Sequence, residues 1–149
     1  MTTISGASNA AQLLDRTRSE ILQRCNNAVT LSRSTATEAI FEAWQATNES
    51  WKLGDDENAI SEEVRDTAIQ FVESLPLGFP LPEVTAEPDG HINLEWYREP
   101  RRVVSVSIAS SNRLFWAALI GTESPRGTVR FIDSIPVILL DQIARVFEG

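Results

Sequence analysis

The chain has 149 residues, 42% hydrophobic and 23% charged, which fits one globular domain burying about 70% of its unfolded surface and excludes global disorder. One His, one Cys and one Lys leave most metal, nucleophile and phosphate-transfer sites unassemblable, and no apolar run approaches the roughly 20 residues that span a bilayer. The net charge of −8 belongs to the middle of the chain: residues 38–89 hold thirteen acids against Lys52 and Arg65, while residues 1–37 balance at +2 and residues 90–149 at +1.

The opening Met-Thr-Thr-Ile-Ser-Gly-Ala-Ser-Asn-Ala has neither the basic start nor the apolar core of a secretory signal. One cysteine forms no internal disulfide, so a reducing, cytoplasmic setting is expected. Ser8 or Asn9 caps a first helix expected to run to about Ser32, with Leu14, Ile21, Cys25, Ala28 and Val29 on one side. The seven-residue recurrence of Leu14, Ile21 and Ala28, with Cys25 between, reads as a seam within the chain or, by preference, between two chains of a homodimer. On that stripe Cys25 is expected to act as a small hydrophobe.

Thr35-Ala-Thr-Glu38 has capping-box form. From there Ile40, Phe41, Trp44 and Trp51 mark a second helix, or a continuation of the first bent near residues 32–35. Gly54-Asp-Asp-Glu-Asn58 interrupts it. A third helix is expected from Ser61, with Glu62 and Glu63 at the positive end of its dipole and Val64, Ala68, Phe71, Val72 and Leu75 facing inward. Pro76 and Gly78 stop it, and Phe79-Pro-Leu-Pro82 is an extended connector.

Short strands follow. Glu83–Ala86 leads into a Pro88-Asp89-Gly90 turn, and Ile92, Leu94 and Trp96 alternate with polar residues as a half-buried strand requires. Arg98-Glu-Pro-Arg101 turns the chain into Arg102–Ile108, and Ser110-Ser-Asn112 turns it again. Leu114–Ile120 is apolar on both faces, which predicts a central strand or one beneath helices. After the loop Gly121–Gly127 come a last strand, Thr128–Ile132, and a final helix capped by Asp133 or Ser134, with Pro136 in its first turn and Leu139, Leu140, Ile143 and Phe147 inward. The expected fold is α+β: N-terminal helices, a five-stranded antiparallel meander and a closing helix. It forms one domain, with residues 1–58 helical and residues 59–149 the α+β core.

Few residues carry recognisable chemistry. His91 follows a tight turn without an evident partner, and Asp55-Asp56-Glu57 lacks the ligand spacing of a calcium loop. Gly121-Thr-Glu-Ser-Pro-Arg-Gly127 has neither the lysine nor the glycine spacing of a phosphate loop. Arg98, Arg101 and Arg102 are expected to pair with Glu95 and Glu99. No catalytic residue, metal or cofactor is expected, and no direct nucleic-acid binding, since no basic stripe interleaved with aromatics is present. Trp44 and Trp51, seven residues apart on one helical side among acids, have the composition of an interaction hot spot when they are not core.

Ile60-Ser-Glu-Glu-Val64, Phe71-Val-Glu-Ser-Leu-Pro76, Pro82-Glu-Val84, Pro88-Asp-Gly90, Leu94-Glu-Trp-Tyr97 and Val104-Ser-Val-Ser107 resemble stretches of small uncharacterised bacterial proteins from mobile elements and defence neighbourhoods. In size, acidity and that flavour the chain is also similar to phage-encoded inhibitors, including anti-CRISPR proteins. The first resemblance covers Ile60 to Phe147 and bears on the fold; the second, with the sparse chemistry and the acidic middle, leads to the expectation of a non-enzymatic inhibitor. Its Glu38, Glu42, Trp44, Glu49, Trp51, Asp55, Asp56 and Glu57 would dock on a basic protein or nucleoprotein complex such as a CRISPR effector. An antitoxin or immunity protein is the alternative, and a small hydrolase or nuclease around Glu95, Asp133 and His91 the third.

Overall fold

Along most of five consecutive strands, burial alternates residue by residue, and that alternation organises the protein. The computed structural model describes residues 16, 18, 20, 33–49 and 59–148. It divides into two compact units, Met1–Ser32 and Arg33–Gly149. In the first, Arg16, Arg18 and Glu20 are helical and exposed; the expected seam residues Leu14, Ile21, Cys25 and Ala28 lie outside the described residues.

The second unit begins with helix α1, residues 33–49. Arg33 and Ser34 are already helical, so Thr35 sits inside the helix rather than at its cap, which corrects the capping-box reading. Helix α2, Glu62–Glu73, starts where Ser61 predicts, because the Ser61 Oγ accepts from the Val64 N–H at 3.1 Å. Its inward positions Val64, Ala68, Phe71 and Val72 are buried, as is Leu75 just beyond its end.

Strands β1 (Glu83–Ala86), β2 (Ile92–Glu99), β3 (Arg102–Ile108), β4 (Arg113–Ile120) and β5 (Arg126–Arg130) form one sheet in sequence order. Every neighbouring pair is antiparallel. The turns use left-handed backbone at Gly90 and Asn112, φ 88 and 56, where glycine and asparagine accept it readily, and also at Arg101 and Ser111, φ 68 and 59, where a side chain makes it costly. Helix α3, Val137–Phe147, closes the fold.

Two expectations about this last segment are corrected. Pro136 stands at the N-cap and no side chain caps the helix, so Asp133 and Ser134 precede the helix instead of starting it. Phe147 is 38% exposed, whereas Leu139, Gln142, Ile143 and Val146 are buried. At about 100° per residue, Val146 points within roughly 20° of Leu139 and Phe147 about 80° away.

The core lies between the helices and one sheet face. Ile92, Leu94 and Trp96 of β2, Val104, Val106 and Ile108 of β3, and Leu114, Trp116 and Ala118 of β4 are buried there with α2 and α3. Phe71 packs against Trp96 and Phe131 at centroid separations of 6.2 and 5.7 Å, and the Trp96 Nε1–H donates to the Pro80 carbonyl at 2.8 Å. Strand β4 lies between β3 and β5 and beneath helices on its inner face, while Phe115 and Leu119 on its outer face are 39% and 37% exposed. Among the described residues no helix is long and apolar enough to cross a membrane.

Candidate interaction surfaces

Part of the acidic middle of the sequence lies on two adjacent helices. Helix α1 buries Ala36, Ile40 and Thr47 and turns Glu38, Glu42, Gln45 and Glu49 to solvent. Spacings of four, three and four residues place those four side chains in one stripe along the helix. None of the three carboxylates has an ion-pair partner among the described residues.

Helix α2 runs antiparallel beside α1. Arg33 donates to the Leu75 carbonyl at 2.6 Å at one end, and the Ile60 N–H donates to the Thr47 Oγ1 at 3.3 Å at the other. Asn48 ties the second junction further by donating to the Trp44 and Ile60 carbonyls at 2.8 and 3.3 Å. Exposed Glu62, Asp66 and Glu73 of α2 extend the acidic surface, and its one base, Arg65, pairs with Asp66 at 2.9 Å.

Trp44 does not project as an anchor. It is half-buried and packs against the core. The Arg65 guanidinium covers its ring at 4.4 Å, and its Nε1–H is buried with no hydrogen-bond partner among the described residues. The exposed aromatic is its neighbour Phe41, 40% exposed, which meets Trp44 edge-on at 6.4 Å and lies 5.4 Å from Arg65. The pattern Ile40-Phe41 hides this difference, because adjacent helical residues point about 100° apart and only one of them enters the core. Trp51, Asp55, Asp56 and Glu57 lie outside the described residues.

Among the described residues nothing packs over the outer sheet face. Thr85, Asn93, Ser107, Phe115 and Thr128 form one cross-strand row, and Glu83, Glu95, Ser105, Ala117 and Arg126 the next. A shallow groove of about 440 Å³ lies over Ser105, Ser107, Phe115, Ala117 and Arg126. At the end of the β1–β2 turn, Glu87, Asp89 and His91 bring one ligand-type atom each within 4.8 Å of one another. His91 Nδ1 lies 3.3 Å from the Asp89 carboxylate and its ring stacks on Phe115 at 6.0 Å, while the Ser107 hydroxyl donates to Glu87. These contacts orient the three side chains on the outer face.

The hydrolase constellation is not brought together. His91 and Glu95 share a strand face but are four residues, hence about 13 Å, apart. Asp133 lines a different groove, of about 400 Å³, with Gln70, Glu73, Ser74, Asn112, Phe131 and Ile132. The arginines at the β2–β3 turn also have structural work. Arg98 and Arg102 donate to the Glu148 carbonyl just after α3, where cations favourably meet the helix dipole. Arg102 pairs with Glu99 at 3.3 Å, but Glu95 receives the Ser105 hydroxyl at 3.3 Å instead of an arginine.

Arg145 of α3 donates to Glu123 at 2.8 Å. That hydrogen bond holds the guanidinium above its ordinary value, so on the alkaline side the pair is lost only in strong base. Comparison of the chain with protein-family models, with curated proteins and with solved structures finds no match.

Proposed function

We propose that this protein is a non-enzymatic inhibitor that binds a basic nucleic-acid-handling protein or complex through the acidic face of its helical hairpin. The observation that carries the reading is the stripe Glu38, Glu42 and Glu49, exposed and without ion-pair partners among the described residues, on a helix whose opposite side is locked into the core. Such a stripe of carboxylates on a packed helix speeds encounter with a basic surface. Phe41 at its border supplies apolar contact that slows release. In sequence the acidic run continues through Asp55, Asp56 and Glu57.

The specific form is an anti-CRISPR-type inhibitor, in which carboxylates occupy a positive surface that otherwise holds DNA. Like charge keeps the inhibitor itself off nucleic acid. The test is retention of partners by the tagged full chain from a lysate whose host carries CRISPR and toxin systems, at low and at moderate salt. A basic nucleic-acid-handling complex, bound stoichiometrically and released by salt, is the expected result. A single small toxin in its place converts the reading to an antitoxin or immunity protein. Recovery of neither contradicts both.

A further inference from the structure

The outer sheet face is divided by charge. Its β1–β2 half carries Glu83, Glu87, Asp89 and Glu95, and its β4–β5 half carries Arg113, Arg126 and Arg130. The alternation of β4 and β5 turns these three arginines away from the core. None of them, nor Glu83, forms an ion pair or side-chain hydrogen bond among the described residues. Apolar surface runs across the three middle strands: Tyr97 of β2 at 54%, Phe115 and Leu119 of β4 at 39% and 37% exposure, with half-buried Val103 of β3 between Tyr97 and Leu119 in one cross-strand row. Among the described residues this face carries both signs of charge in separate halves, with no ion pair joining the acids of one half to the arginines of the other.

We propose that this face is the interface of a two-fold homodimer in which β1 and β2 of one copy lie over β5 and β4 of the other. The strand register fixes the arrangement. Two identical faces meet about an axis lying between them, and an axis along β3 keeps each residue at its own height along the strands while exchanging left and right. Glu83 then faces Arg126 of the other copy, because both belong to the row Glu83–Glu95–Ser105–Ala117–Arg126. Tyr97 faces Leu119, and Val103 meets itself. At the far end, Glu87 and Asp89 of the β1–β2 turn face Arg113 and Arg130, which pair with each other across β4 and β5.

An axis across the strands instead places β1 over β1 and β5 over β5, acid on acid and arginine on arginine, so charge selects the first arrangement. With sheets packing about 10 Å apart, a glutamate and an arginine reaching from opposite sides span the gap. Small Ala117 and the serines beside it leave the groove into which Glu95 of the other copy projects. Strands of four, eight, seven, eight and five residues, about 3.3 Å per residue and 4.8 Å apart, present roughly 500 Å² per copy, at the lower bound of a specific interface. The helical hairpin packs against the opposite sheet face through Ile40 and Val64, so the dimer leaves both acidic stripes free and makes docking bivalent.

The test is the solution mass of the full chain by light scattering over micromolar concentrations. A mass approaching twice 16.5 kDa, shifting toward monomer as salt rises, is expected. Arg126→Glu should weaken dimerisation roughly tenfold by setting like charges against each other. Combining it with Glu83→Arg should restore the affinity, since the pair is merely exchanged. Leu119→Glu should yield monomer, and because Arg126 and Glu83 are exposed, their variants remain decisive if Leu119→Glu misfolds. A monomeric wild type overturns the proposal. So does a dimer indifferent to all three changes, which places the contact elsewhere, for instance on the seam of Leu14, Ile21 and Ala28.

Discussion

Arg65 shows how a single side chain decides what a helix face offers. Its guanidinium covers Trp44 and lies near Phe41, so Trp44, one of the two tryptophans that read as an anchor in sequence, is engaged in packing, while Phe41 stays 40% exposed. Arg65→Ala should lower stability by about 1–2 kcal/mol, and Arg65→Lys should recover only part of this because an ammonium lacks the stacking plane. Urea denaturation checks it, and a wild-type midpoint for Arg65→Ala would contradict the stacking account. Gly127 is a second such residue: a Cβ there meets the Trp116 Nε1 at 3.0 Å, and that indole is buried. Gly127→Ala should therefore cost about 1–2 kcal/mol through overpacking, read in the same assay and refuted by an unchanged midpoint. Neither contact is legible in sequence, since both join residues on different elements.

Elements were readable wherever local chemistry specified them. Glu83–Ala86 and Arg102–Ile108 occur with the bounds their patterns predict, and Ser61 caps α2 because hydroxyl and amide are only three residues apart. Ser61→Ala should cost about 1 kcal/mol, seen as a drop of several degrees in Tm; no drop would mean the cap is not used. The β3–β4 turn holds Ser111 at φ 59, a conformation unfavourable for a side chain, while its N–H donates to Glu63 at 2.7 Å. Ser111→Gly keeps that donor and should stabilise the protein by about 0.5–1 kcal/mol; destabilisation would refute the strain. The start of α3 was not legible, because Asp133 and Ser134 look like caps while Pro136 fixes the helix beginning after it. The position of β4 was only half legible. Apolar residues on both faces signal burial on both faces, yet the outer one has no cover among the described residues.

At the scale of the molecule, one sheet separates two surfaces with different charge logic. The helical side carries unpaired acid, which points to a basic partner, and the open side carries both signs in separate halves, which suits a second copy. The charge excess of residues 38–89 was evident in sequence, but its presentation was not: that depends on which side of α1 enters the core, and Ile40 rather than Phe41 decides it. Whether Glu38, Glu42 and Glu49 form a binding surface is decided by reversing them together to Lys. The measurement compares partner retention by wild type and variant from the same lysate, with circular dichroism confirming an intact fold. The variant should lose the salt-sensitive basic partner while folding normally; equal retention by a folded variant would mean that the stripe binds nothing.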